Sequence, residues 1–213
     1  DLEATAEIRT TSGSKLYADH VPTTDQGSVA NIREAGGIIL GKTNTPEFGA
    51  GANTRNLVFG ATGNPFDPAK TCGGSSGGSA VALASGMVPL ASGSDYGGSL
   101  RTPASFCGVV GIRPRPGVVA AEGRPVGLLP FSVLGPRGRT VDDAYMLLPA
   151  QAGTDPHAPF STAPITDLDS PLEQADLGSI RAMITPDLGS AAMSYAYSSM
   201  FADRTNHFRH HFA

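Results

Sequence analysis

Residues 73–106 read GGSSGGSAVALASGMVPLASGSDYGGSLRTPASF, and no other stretch restricts the possible folds so strongly. Two serines, Ser75 and Ser99, sit among glycines 24 residues apart in the chain, and the only charged residue between Cys72 and Ser99 is Asp95. Glycine costs folding entropy, but it lets the backbone take positive φ and approach another group closely. A flexible Gly/Ser linker uses the same residue types. This stretch differs because it runs directly into apolar residues at Ala80–Leu83 and Val88–Leu90, so it is embedded in a core. Loops of this kind hold hydroxyls and main-chain N–H groups in fixed places. That is the equipment of a nucleophile with its oxyanion donors.

Around these loops the chain alternates helix and strand signals. Asp25–Gly37 reads as a short helix capped by Asp25 or Ser28, with Val29 and Ile32 on one face. Ile38-Ile39-Leu40 reads as a buried strand with Gly41–Asn44 as its exit, and the prolines of residues 64–70 mark a loop. A helix over Ser76–Met87 and a short strand over Val88–Leu90 lead into the second serine loop. Leu100–Phe106 follows as a helix and Val109–Ile112 as a strand ended by Pro114 and Pro116. Thr140–Leu148 is a helix with Thr140 as N-cap and Asp142 and Asp143 in its first turn. Gly153–Ser170 reads as a long loop, Ser179–Ile184 as a strand and Ser194–Phe212 as a helix. The expected class is α/β, a mixed sheet core surrounded by helices.

Composition narrows the partners. The 213 residues suit one domain over 1–213, and a net charge of −4 offers no basic face for a nucleic acid. The chain has no 18-residue apolar run and no leader-like start, so neither a membrane span nor a signal peptide is expected. Cys72 and Cys107 lack metal-type spacing and read as free thiols in a reducing, cytoplasmic setting. His207 and His211 have i, i+4 spacing, but with Phe201, Phe208 and Phe212 alongside and no acidic partner they read as a helix face. Neither spacing points to a metal site.

Nucleophilic catalysis by a hydroxyl needs the nucleophile, a base, an acid for the leaving group and donors for the oxyanion. Ser99 closes the turn Asp95-Tyr96-Gly97-Gly98-Ser99, and the N–H groups of Tyr96, Gly97, Gly98 and Ser99 can converge on one oxygen. One such donor is typically worth about 10²–10³ in rate. Ser99 is also placed to cap a helix starting at Leu100, and the two jobs are compatible. Asp95 and Arg101 flank Ser99 with opposite charge. They read as a pair supporting the loop, the alternative being two solvated surface charges. Gly74-Ser75-Ser76-Gly77-Gly78 also satisfies G-x-S-x-G, which would make Ser76 the nucleophile of an α/β-hydrolase-type esterase, with a downstream Asp and His157. That elbow needs an apolar strand before it, and PFDPAKTC is not one. A phosphate loop is weaker still, because no Gly-Lys-Ser/Thr follows the glycines.

The paired motifs GGSSGGSA and GSDYGGS, at this interval, resemble the amidase signature family. GGIILGKTNTPEFG (36–49), SFCGVVGIRPRPGVV (105–119) and LGPRGRTVDDA (134–144) are similar to flanking elements of the same family. Two departures stand out: Arg113-Pro114-Arg115 where Lys-Pro-Thr is commoner, and Arg137 where Met is usual. The resemblance covers about residues 1–153 and implies a partial amidase-signature fold. It further implies hydrolysis of a small-molecule carboxylic amide through an acyl-enzyme, without cofactor, by a Ser–Ser–Lys triad. Ser99 would be the nucleophile; Ser75, following a cis peptide bond, would relay protons, with Ser76 as its neighbour and support. A homodimer is compatible with this.

The resemblance puts the lysine one residue before Asp1, upstream of Thr10-Thr11-Ser12-Gly13-Ser14. A catalytic lysine must be brought down from about 10.4 by burial. Lys15 and Lys70 lie in polar loops, and Lys42 is the best remaining candidate, although the family pattern gives it no base role. The expectation is therefore a fragment that is inactive as it stands. The alternative is a folded, non-catalytic relative, and the residue preceding Asp1 separates the two.

Overall fold

Frequent glycines and prolines keep the regular elements short. The computed structural model describes residues 2–122, 128–161, 168 and 170–213. Contacts divide the chain into two units, Asp1–Ser170 and Pro171–Ala213. The first contains helix α1 (Gly27–Glu34), a small antiparallel pair β1 (Arg55–Asn56) and β2 (Gly60–Ala61), helix α2 (Gly77–Ala84) and strand β3 (Leu90–Asp95). Helix α3 (Arg101–Cys107), strands β4 (Val110–Gly111) and β5 (Val133–Gly138), and helix α4 (Val141–Gln151) complete it.

The fold is α/β, and the pairings among the described residues are antiparallel. Strand β5 lies between β3 and β4, with Leu90 opposite Gly138 and Asp95 opposite Val133. Every residue of β5 is buried. A central strand containing Pro136 is unusual, since proline gives no ladder N–H. Here its carbonyl still accepts the Ile112 N–H at 3.1 Å. Helix α4 follows at once, fixed by a capping box in which Thr140 Oγ1 accepts the Asp143 N–H and Asp143 Oδ2 accepts the Thr140 N–H. Val118, Val119, Ala121, Leu134 and Leu148 make one apolar cluster, and Cys72, Ala80 and Cys107 another beneath the first serine loop.

Helix α2 is built of small residues because another chain segment runs against it. A Cβ on Gly78 would fall 2.4 Å from the Asn44 nitrogen. The helices expected over 76–87, 100–106 and 140–148 are present. Strand β3 begins at Leu90 rather than Val88 and continues to Asp95.

Three expectations are corrected. Helix α1 starts from Gln26, because Asp25 is occupied elsewhere: its Oδ1 accepts the Ala6 N–H at 2.7 Å and its Oδ2 pairs with Arg33 at 2.9 Å. Ile38–Leu40 is neither a strand nor buried, with Ile38 84% and Leu40 71% exposed. β-Branched residues favour a strand, but a strand exists only through a partner's N–H and C=O groups, and no described segment pairs with this run. Ser179–Ile184 is not a strand either, and Ser179 ends a 3₁₀ turn over Leu177–Ser179. Ile180 is closed into a local turn by its N–H to Leu177 O, and its carbonyl accepts the Ala213 N–H. The expected loop at 153–170 has no helix or strand among its described residues; 162–167 and 169 lie outside them.

In the second unit, α5 (Tyr195–Phe208) is capped by Ser194, whose Oγ accepts the Tyr197 N–H, and a 3₁₀ turn over Arg209–His211 follows. The Phe208 ring packs between His207 and His211, at centroid distances of 5.0 and 6.3 Å. No helix among the described residues is long and apolar enough to cross a membrane.

Candidate active site

Strand β3 delivers Asp95 into the core at its last residue, and the chain then turns through Tyr96-Gly97-Gly98-Ser99 into α3. A buried carboxylate must be satisfied, and the turn wraps around it. Asp95 is fully buried, and its Oδ1 accepts the Gly98 N–H at 2.8 Å while Oδ2 accepts the Leu100 N–H at 3.1 Å. Arg101 adds two bonds, Nε to Oδ2 at 3.0 Å and Nη2 to Oδ1 at 3.1 Å, and Arg113 Nη1 adds a third from an arginine at 2.9 Å. Burial alone would push this carboxyl up. The bonds from Arg101, Gly98 and Leu100 outweigh it and hold the group below the usual carboxylate range. The expected supporting pair is thus present, enlarged by Arg113.

This arrangement corrects one member of the expected donor set. The Gly98 N–H is committed to Asp95, whereas the N–H groups of Tyr96, Gly97 and Ser99 donate to no other described residue. Gly98 is required on two counts: its φ is +126°, and a Cβ there would lie 2.9 Å from Thr102 Oγ1. The hydroxyl of Ser99, partly exposed, bonds no other described residue and does not cap α3, whose first turn follows Leu100. The Tyr96 side chain is 59% exposed and meets Phe131 edge-to-face at 5.7 Å.

The first serine loop is held by different means. The Gly74–Ser75 peptide bond is cis. Thr54 Oγ1 donates to Gly73 O at 2.9 Å and approaches Ser75 O at 3.3 Å, while accepting the Gly77 N–H at 3.0 Å. Ser75 is buried at the entrance to α2. Ser76 has a framework role: its Oγ donates to Ser94 O at 3.2 Å and accepts the Ser94 N–H at 3.1 Å, tying α2 to β3. No strand runs directly into it, residues 72–76 being irregular, so the nucleophile-elbow geometry is not formed, and His157 pairs with Asp155 on the surface.

The two loops meet at Arg137. Its guanidinium is fully buried, with Nη1 on Ser76 O at 2.7 Å and Nη2 on both Ser99 O and Leu100 O at 2.6 Å. Burial brings it down to about 10, so it remains a cation at neutral pH. Thr54, Arg113 and Arg137 were not assigned roles from the sequence. The available signal lay in GIRPRP and LGPRGR, where an arginine set among apolar, glycine and proline residues needs partners if it is buried.

Of the lysines, Lys15 is exposed and Lys70 pairs with Asp67 at the surface. Lys42 Nζ donates to Thr5 Oγ1 at 2.9 Å and to Glu3 O, and burial lowers it although the Glu3 carboxylate pulls the other way. Its contacts hold the N-terminal segment and do not include Ser75 or Ser99. Cys72 and Cys107 are free, buried, and pushed up by burial, Cys107 to about 11, which disfavours the thiolate form at both. A cavity of about 380 Å³ beside Pro46, Asn53, Arg55 and Leu57 is lined by neither serine loop.

The α/β scaffold thus carries two glycine-framed serines, one after a cis peptide bond and one in a turn around a buried aspartate. The chain belongs to the amidase family, whose model matches residues 1–204. It is 48% identical over 156 residues to a glutamyl-tRNA(Gln) amidotransferase subunit of Thermus thermophilus, covering 73% of this chain and 33% of that protein. The crystal structure of the like-named protein from Thermotoga maritima superposes with a TM-score of 0.72 at 39% identity, covering 77% of this chain and 36% of that one. A peptide amidase bound to chymostatin gives 0.72 at 33% identity, covering 78% and 35%. The chain spans about a third of the length of these relatives.

Proposed function

We propose that this chain carries the nucleophile and oxyanion portion of an amidase that cleaves a small-molecule carboxylic amide. Ser99 Oγ attacks the carbonyl carbon, and the N–H groups of Tyr96, Gly97 and Ser99 receive the developing oxyanion. Ser75 passes the proton between Ser99 and the base, and then to the leaving nitrogen. Water finally releases the acid from Ser99. The base in this reading is a lysine directly preceding Asp1, as the resemblance implies. No metal is needed, because the charge that develops is met by N–H donors. The cytoplasm, where Cys72 and Cys107 remain thiols, is the matching setting.

The observation supporting this reading is the Ser99 turn, in which a hydroxyl and three N–H groups without a partner among the described residues are held around a satisfied aspartate. The test uses the full-length protein with a fluorophosphonate probe and peptide mapping. Labelling should fall on Ser99, vanish in Ser99→Ala and persist in Ser76→Ala. Undiminished labelling of Ser99→Ala sinks the assignment.

Identity to glutamyl-tRNA(Gln) amidotransferase proteins favours a second reading, in which the released ammonia passes to another acceptor. Ammonia release by the isolated full-length protein supports simple hydrolysis. Release only with an added acceptor and partner supports transfer.

A further inference from the structure

We infer that Arg137 is a positioning residue that locks the two serine loops into one frame. The inference rests on the roles proposed above for Ser75 and Ser99. Arg137 stands on β5, and its acceptors come from two other places: Ser76 O at the start of α2, and Ser99 O and Leu100 O at the start of α3. Each acceptor is a main-chain carbonyl in, or next to, a residue of the reacting set. Moving the guanidinium moves the backbone of both loops together.

No carboxylate among the described residues pairs with this cation. It is fully buried, and its Nε has no partner among the described residues. A charge buried at that cost is poorly explained by packing alone, because an apolar side chain of similar volume is often the more stable solution. What the guanidinium supplies is geometry: a rigid planar fork spanning three oxygens at once, which a lysine or methionine cannot copy. It also sets a positive charge behind the Ser99 peptide, whose other face carries the Leu100 N–H to Asp95. Hydrogen bonds in such a chain polarise and strengthen one another. Arg137 therefore fixes Ser99 from the side opposite Asp95.

Relative placement of nucleophile and relay governs the chemical step far more than encounter with substrate, and a misplacement of about 1 Å can cost about 10²-fold. Arg137→Met in the full-length protein should therefore lower the rate constant for fluorophosphonate attachment at Ser99 by about ten- to a hundred-fold. The probe's apparent binding constant should stay within about threefold, a split that general loosening would not give. Arg137→Lys should recover part of the rate. Amide hydrogen exchange supplies a reading independent of catalysis: residues 77–79 and 96–100 should both exchange faster in Arg137→Met, while α4 is unchanged.

Wild-type attachment rate in a folded Arg137→Met, or faster exchange confined to one loop, overturns the inference. If Arg137→Met does not fold, Arg137→Lys decides: reduced rate with coupled exchange supports it, and wild-type behaviour overturns it. Absence of labelling at Ser99 in the wild type refutes the functional reading instead, and the exchange data then judge the frame by themselves.

Discussion

Arg101 grips Asp95 with two parallel hydrogen bonds, yet its side chain is 56% exposed while that of Asp95 is fully buried. The pair is therefore asymmetric. Removing Arg101 leaves the carboxylate with Arg113 and two N–H donors. Removing the carboxylate strands those donors in the interior. Arg101→Ala should cost about 1 kcal/mol in urea unfolding, and Asp95→Ala about 3–5 kcal/mol. Equal losses would show that the loop does not depend on the aspartate.

Acid should expose the same carboxylate. Its native pKa lies below the unfolded value of about 3.9, so its stabilisation is fully present above that pH and is lost as pH falls through the native value. The stability difference between wild type and Asp95→Asn should be constant near neutrality and shrink below about pH 4. A difference unchanged through the acid limb would contradict the direction of this shift.

Adjacent glycines should respond differently. Gly97 has open space where a Cβ would go, whereas Gly98 combines positive φ with a close Thr102 hydroxyl. Gly97→Ala should change stability by less than about 0.5 kcal/mol, and Gly98→Ala should lose about 1–3 kcal/mol. Adding Thr102→Ala removes the contact but leaves the backbone conformation, so recovery should be incomplete. Complete recovery would assign the whole effect to crowding.

Thr54 offers a test of the first serine loop. Thr54→Val keeps the shape but leaves the Gly77 N–H without its acceptor, at about 1–3 kcal/mol. Thermal denaturation together with probe labelling measures both consequences, and a neutral Thr54→Val would remove Thr54 from the loop's support.

Much of this was legible locally. The serine loops, the Thr140 cap and the helices over 77–84, 101–107 and 141–151 follow from nearby residues, because caps and small-residue helices are short-range features. Strand β5 was not legible: Gly135 and Pro136 argue against a strand, and only burial between β3 and β4 overrides them. Ile38–Leu40 fails in the opposite sense, with strong propensity and no partner among the described residues. Thr54, Arg113 and Arg137 could not be assigned because most of their acceptors are main-chain oxygens distant in sequence, reached by Arg137 across 61 and 38 residues. A carbonyl is present at every residue, so the sequence carries no mark of which one will be used.

The order β3-β5-β4 also sets a schedule. Among the described residues β3 pairs only with β5, so that strand has no ladder partner until Val133–Gly138 has been synthesised. On a ribosome both serines emerge well before the arginine that joins them. The three hydrogen bonds that join the two serine loops are thus withheld from the nascent chain by strand order, and a truncation between residues 114 and 136 yields a protein with both loops and no Arg137 to join them.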